Sequence, residues 1–247
     1  MDALEPTEPH AGDLVRRHRL STRLWHWLNV VAFTVMLMSG LMIFNAHPRL
    51  YWGEYGANFD HAWLTIGRIG TAFPGWATIP STYDLALARI WHLAFAWVLA
   101  FGLLGYLAWS LVNGHLRRDI HITRREWSPA HIWHDIRDHA RLRFPTGRAA
   151  LRYGVLQKIS YALVLFGLLP LAITTGLGLS PGMDAAWPWL TAMWGGRQSA
   201  RSLHFIAAFS LLGFVAVHVA MVVLAGPFNE LRSIVTGWYR LPRDRAA

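Results

Sequence analysis

The sequence predicts an all-α integral membrane protein, a four-transmembrane-helix bundle with both termini cytoplasmic (N-in/C-in) and one long periplasmic loop. Three features lead there. Four apolar stretches each reach the roughly 20 residues needed to cross a bilayer core. Arginines crowd alternate sides of these stretches. Finally, 54% of the 247 residues are hydrophobic and only 15% charged, against about 25% charged in soluble domains.

Taken in order, Met1 to Arg23 is polar, contains acids and lacks the apolar core of a cleavable signal peptide. The first span, about 24–46, is therefore expected to act as an uncleaved anchor. His47 to Asp84 is too long for a plain connection, and it mixes Tyr51, Trp52, Tyr55, Phe59, Trp63, Phe73 and Trp76 with Gly and Pro turn signals. Loops this long are functional or disordered; the aromatics argue for a cap over the bundle or a docking surface. The second span is about 90–113. After it, Ser128-Pro129 signals a helix start, and Ile132, Trp133 and Ile136 fit an interfacial helix. The third span, about 159–179, carries Pro170, expected to kink it, and the fourth is about 202–229. The whole chain, 1–247, reads as one domain without an internal repeat at solenoid period.

Orientation follows from the basic residues. Arg16, Arg17, Arg19 and Arg23 precede the first span. Arg117, Arg118, Arg124, Arg125, Arg137, Arg141, Arg143, Arg148 and Arg152 lie between the second and third, and Arg232, Arg240, Arg243 and Arg245 follow the fourth. The opposite loops hold chiefly Arg49, Arg68 and Arg197. The positive-inside rule makes the richer side cytoplasmic. It also explains the net charge of +9 through membrane lipid, without nucleic acid. The absence of cysteine excludes disulfides, thiolate-held clusters and covalent haem attachment.

Four of the 13 histidines fall inside the spans: His26, His92, His204 and His218. Ionisable groups at membrane depth are costly and mark function. His204 and His218 are 14 residues apart, so they share a helix face about 21 Å apart along the axis. His92 and His204 both lie about 14–15 Å outward of their span centres, while His26 and His218 lie about 13 and 6 Å toward the cytoplasm. Only the pairing His92 with His204 and His26 with His218 keeps partners at similar depth. Two facing imidazoles suit bis-histidine haem iron in a bundle core. With both axial positions filled, that iron can change oxidation state but has no place for substrate.

Arg23, Arg89 and Arg201 each precede a histidine by three residues, one turn nearer water on the same face. They are candidate partners for haem propionates, although basic residues at helix ends also snorkel to headgroups. A single membrane histidine can simply bond a neighbouring helix; four at matched depths are harder to explain so. Met36, Met38, Met42 and Met221 read as packing. Gly40, Gly102 and Gly105 admit close approach of a porphyrin or another helix. His131, His134 and His139 with Asp135 and Asp138 superficially suggest zinc but lack its ligand spacing. No nucleotide-binding loop or nucleophile elbow is present, and no catalytic residue is assigned.

Arg-Leu-Trp-His-Trp (23–27), followed by Met-Ser-Gly-Leu-Met-Ile (38–43), resembles the bacterial cytochrome b561 family, which includes the b-type cytochrome subunits of nickel–iron hydrogenases. Residues 45–53, 179–186 and 195–205 resemble most the thiosulfate reductase cytochrome b branch, often paired with periplasmic molybdopterin oxidoreductases. The resemblance runs from Arg16 to about Trp238. It implies an electron-transfer subunit of the bacterial inner membrane with two non-covalent haem b groups, whose ligands carry over onto His26, His92, His204 and His218. Quinone is implied as the diffusible partner, which would give the chain quinone oxidoreductase activity, and a molybdopterin oxidoreductase or c-type cytochrome as the periplasmic one. Tyr153, Gln157 and Lys158 are candidates near a cytoplasmic-side quinone pocket. Two rivals remain: a haem-free membrane anchor, and a small transporter whose buried histidines relay protons or bind metal. Haem content separates them.

Overall fold

The computed structural model describes residues 10, 12–143, 145, 147–151 and 153–242. Arg152, Arg243, Arg245, the side chain of Arg148 and the first nine residues lie outside the described residues. Four helices are long and apolar enough to span a membrane: α1 (Leu20–Asn45), α2 (Leu85–Val112), the composite Val155–Leu179, and α8 (Arg197–Ala225). Shorter helices are α3 (Pro129–Ala140), α6 (Pro181–Ala186), α7 (Trp189–Met193) and α9 (Pro227–Thr236). In the most apolar windows of the four long helices, only 11–28% of the residues are buried within the chain. The remaining apolar surface needs a non-aqueous neighbour, which lipid supplies.

The long helices start four or five residues before the predicted spans, and in two of them a local cap sets the start. Asp84 Oδ1 accepts the Leu87 N–H at 2.9 Å and caps α2. Gln157 Oε1 accepts the Gly154 N–H at 3.0 Å, the reach-back half of a capping box, and opens α4 (Val155–Leu163). At the other end, α8 stops before residue 229. Gly226 takes φ +116, a conformation that only glycine adopts without strain, and Pro227 starts α9. The third span changes winding. Residues Val164–Leu168 form a π turn between α4 and α5 (Leu169–Leu179), directly before Pro170, whose ring and missing N–H disturb the regular ladder.

The chain folds as two compact units. The first holds residues up to Trp27, Ala108–Ala162 and Val215 onward. Here the chain ends are zipped together, which hydropathy did not foretell: β1 (Leu14–Arg16) pairs antiparallel with β4 (Trp238–Arg240), Val15 opposite Tyr239. Tyr239, Leu241 and Ala150 form a small core against Val15. Arg17 grips both carboxylate oxygens of Glu230 at 3.0 and 3.1 Å and lies 4.4 Å over the Tyr239 ring. In the same unit Ser128 caps α3 through the His131 N–H at 3.3 Å. α3 leaves Trp133 and Ile136 exposed, as the interfacial reading requires. Lys158 pairs with Glu126 at 2.8 Å. That bond, with the Thr123 N–H, holds the Glu126 carboxyl down at about 2. A carboxylate with a depressed pKa contributes stability above its ordinary value and loses it as pH falls through the folded one. The thermal-stability difference between wild type and Glu126→Gln in detergent should therefore be full at neutral pH and fade from about pH 4.5 toward 2.

The second unit holds Leu28–Leu107 and Leu163–Phe214. The long loop here is ordered. β2 (Arg49–Leu50) pairs with β3 (Leu64–Thr65), and the buried Asn45 side chain bonds both the N–H and the carbonyl of Phe73 at 2.7 and 3.0 Å. The start of α8 fastens the loop. Ser202 donates to the Tyr51 carbonyl at 2.6 Å and accepts the Trp63 indole N–H at 3.0 Å, while Ser199 Oγ accepts the Gly53 N–H at 2.8 Å. Gly196, at φ +103, lies so close to Gly53 that a Cβ would meet its carbonyl oxygen at 2.7 Å.

Candidate haem sites

In the second unit, His92 of α2 and His204 of α8 face each other, ring centroids 6.1 Å apart and planes at 69°. Each ring is held from behind by the preceding long helix. His92 Nδ1 lies 3.0 Å from the Met36 carbonyl and 3.1 Å from Ser39 Oγ. His204 Nδ1 lies 3.0 Å from the Ala172 carbonyl and 3.1 Å from Thr175 Oγ1. A carbonyl only accepts, so Nδ1 carries the proton in both rings and Nε2 keeps the lone pair. Phe44, Phe205, Phe209 and Phe73 pack beside one another with centroids 4.3–6.4 Å apart, adding an apolar aromatic cluster to this unit.

In the first unit, His26 of α1 and His218 of α8 face each other at 6.3 Å and 56°, with Trp27 edge-on to His26 at 5.3 Å. His26 Nδ1 is buried without a hydrogen-bond partner among the described residues. A cavity of about 490 Å³, lined by Arg16, Arg17, His18, Arg19, Leu20, Ser21 and Trp109, opens in the same unit. Burial, then Arg17, His26 and Arg23 nearby, hold the His18 imidazole down at about 4, so it is neutral at pH 7.

The structure thus brings the four histidines together in the two predicted pairs. Both separations fit one iron between two imidazoles. Metal–imidazole nitrogen bonds run about 2 Å, and a ring centroid lies about 1.1 Å behind its nitrogen, so axial rings on one iron stand about 6 Å apart. The absence of cysteine also suits non-covalent haem.

The three arginines are placed differently from one another. Arg201 bonds the Arg49 carbonyl at 3.0 Å and also the His47 carbonyl, with its guanidinium 5.7 Å from the Phe44 ring centre. Arg23 bonds the Val235 carbonyl, while its Nε is buried and unpartnered among the described residues. Arg89 is exposed. Two of the three therefore fasten chain segments, with donors left over. Tyr153, Gln157 and Lys158 are likewise engaged: Tyr153 stacks edge-on Tyr161 at 5.4 Å, Gln157 caps α4, and Lys158 holds Glu126. His134 pairs with Asp138 and His139 with Asp135. Among the described residues no group of three such side chains could hold a metal ion.

Sequence reading missed Ser39, Thr175 and the lining residue His18. The first two left a readable trace, since Ser39-Gly40 and Thr175-Gly176 repeat one dipeptide type in the first and third spans. A Cβ on Gly40 would lie 3.3 Å from His92 Cε1, and one on Gly176 would lie 3.1 Å from His204 Cε1. In both places glycine lets an imidazole, rather than a second helix backbone, approach.

The sequence profile of a family described as prokaryotic cytochrome b561 matches residues 17–237. A protein of Azospira oryzae named as the methionine-sulfoxide reductase subunit YedZ1 is 32% identical, over 82% of this chain and 87% of its own. A protein of Azotobacter vinelandii named as a Ni/Fe-hydrogenase B-type cytochrome subunit is 24% identical, over 90% and 87%. Cytochrome YdhU of Escherichia coli is 26% identical, over 93% and 76%. No solved structure matches. The chain belongs to the prokaryotic cytochrome b561 family and is a multi-pass membrane b-type cytochrome that takes part in electron transfer.

Proposed function

We propose that the chain is a di-haem conduit that carries electrons between the membrane quinone pool and a redox enzyme on the periplasmic side of the bacterial inner membrane. The observation that carries this reading is the presence of two facing imidazole pairs, at 6.1 and 6.3 Å. His92 and His204 would hold one haem, His26 and His218 the other. Arg23 Nε and the exposed Arg89 are the donors best placed to meet propionates, while Arg201 has its main bonds elsewhere. Haem b supplies a reversible one-electron couple, and the protein's part is to ligate it, exclude water and fix its potential.

Both termini and the arginine-rich loop would face the cytoplasm, and the ordered 47–84 loop the periplasm. Tyr55, Phe59 and Trp76 on that loop and Trp189 on α7 are strongly exposed, as aromatics at a docking surface would be. Relatives named as subunits of a hydrogenase and a methionine-sulfoxide reductase support a soluble redox enzyme as partner. A molybdopterin oxidoreductase is our reading of its class, with a c-type cytochrome as the other.

The quinone headgroup would enter the cavity beside His18, which, being neutral, can accept a hydrogen bond from a quinol hydroxyl. His18→Ala should slow haem reduction by a water-soluble quinol about 10-fold and leave dithionite reduction unchanged; equal rates with quinol would remove His18 from the site. The decisive test of the whole reading is haem content. Purified protein should carry two non-covalent haems per chain by pyridine haemochrome, with sharp low-spin reduced bands. Folded protein expressed with haem available but containing none would leave the anchor and transporter readings.

A further inference from the structure

We propose that Ser39 and Thr175 are positioning residues that raise the electron-donor strength of His92 and His204, and so lower the reduction potential of the iron those histidines hold. The proposal rests on the ligand reading above and extends it to what tunes one haem and not the other.

The hydroxyl protons have an assigned place. Ser39 Oγ lies 2.6 Å from the Val35 carbonyl, and Thr175 Oγ1 lies 2.6 Å from the Leu171 carbonyl, each one turn back on its own helix. A hydroxyl has one proton and two lone pairs. Having donated backward, each can only accept from the ring nitrogen 3.1 Å away. The Met36 and Ala172 carbonyls, each 3.0 Å from the same nitrogen, also only accept. Each Nδ1–H is thus shared between two acceptors, which draw the proton outward and leave the ring closer to imidazolate. A more basic axial ring stabilises ferric over ferrous iron.

The arrangement occurs twice in the same order: carbonyl, then hydroxyl three residues later, then glycine. Met36, Ser39 and Gly40 face His92; Ala172, Thr175 and Gly176 face His204. Ser39 and Thr175 are fully buried, so water does not compete for the rings. The other pair is built differently, because His26 Nδ1 is buried with no partner among the described residues. The effect of the hydroxyls therefore falls on a single haem, and the second serves as an internal reference.

The experiment uses the full chain, haem-loaded and detergent-purified. Spectroelectrochemical titration is run on Ser39→Ala, Thr175→Ala, the double variant and the conservative Ser39→Thr and Thr175→Ser. Each lost hydroxyl should lower the ferric-to-ferrous ratio of one haem at fixed poise about 3- to 10-fold, a tenfold change being about 59 mV for a one-electron couple. The other haem should not move, and the conservative variants should titrate as wild type. Two unmoved potentials with both haems bound would overturn the proposal. If Ser39→Ala instead loses a haem, recovery in Ser39→Thr supports the hydroxyl's role, and loss in both overturns it. His92→Ala is measured alongside. If it keeps both haems, the ligand reading itself has failed and the proposal with it. If it loses one while the hydroxyl variants do not shift, only the proposal fails.

Discussion

His204→Ala is expected to lose one haem of two while still inserting and folding. The imidazole is the only group His204 offers its facing partner, and a methyl cannot ligate iron. On the proposed ligation His92 would be left as a single histidine ligand, and the haem of that pair should be released. The retained haem should keep its spectrum and potential, since its ligands would be His26 and His218 in the other compact unit. His218→Ala is the mirror experiment and should remove the other haem. Haem count and redox titration read both variants; two haems in His204→Ala would refute the ligand assignment. On the proposed di-haem conduit reading, electron delivery to a periplasmic acceptor should cease in either variant, because a conduit missing one relay would be broken wherever the gap lies.

Arg201→Met should unfasten the long loop at a cost of about 3 kcal/mol. Arg201 is half-buried at the start of α8, and its guanidinium serves two carbonyls of the loop, those of His47 and Arg49, beside the Phe44 ring. Hydrogen bonds from a charged donor are worth more than neutral ones, and their loss strands two acceptors. The expected readout is faster proteolysis within 47–84 and a lower melting temperature. Lysine should recover only part of the stability, because one ammonium does not reproduce the planar fork. The same variant weighs the two roles of this arginine. Full haem content with a loosened loop marks a fastener; lost haem with an intact loop marks a propionate partner.

Much of the fold was legible beforehand for a physical reason. Membrane insertion depends on apolar area summed along a helix, and orientation on the side that carries the arginines, so span existence needs no tertiary information. Helix ends were less legible. The Gly154 cap formed by Gln157 and the break at Gly226-Pro227 are single-residue events that hydropathy does not weigh. The strand pairing of Leu14–Arg16 with Trp238–Arg240 joins residues more than 200 positions apart, and three-residue strands carry almost no pattern of their own. The 47–84 loop showed its aromatic content but not its order, which comes from Asn45 just before it and from Ser199, Arg201 and Ser202 on a helix distant in sequence.

Four membrane spans, and four histidines at two depths within them, follow from the order of residues alone. The rise of 1.5 Å per residue is a property of the local backbone and holds in any packing. Which neighbour each side chain meets is a matter of packing. That Ser39 and Thr175 stand behind ring nitrogens, that Gly40 and Gly176 make room for imidazoles, and that Arg201 grips loop carbonyls all depend on how helices are rotated and how closely they approach. A buried serine in an apolar helix reads the same whether it bonds its own turn or, as here, its own turn and a histidine together. Rotation and approach are set by contacts over the whole length of a helix, and no local window of sequence contains them.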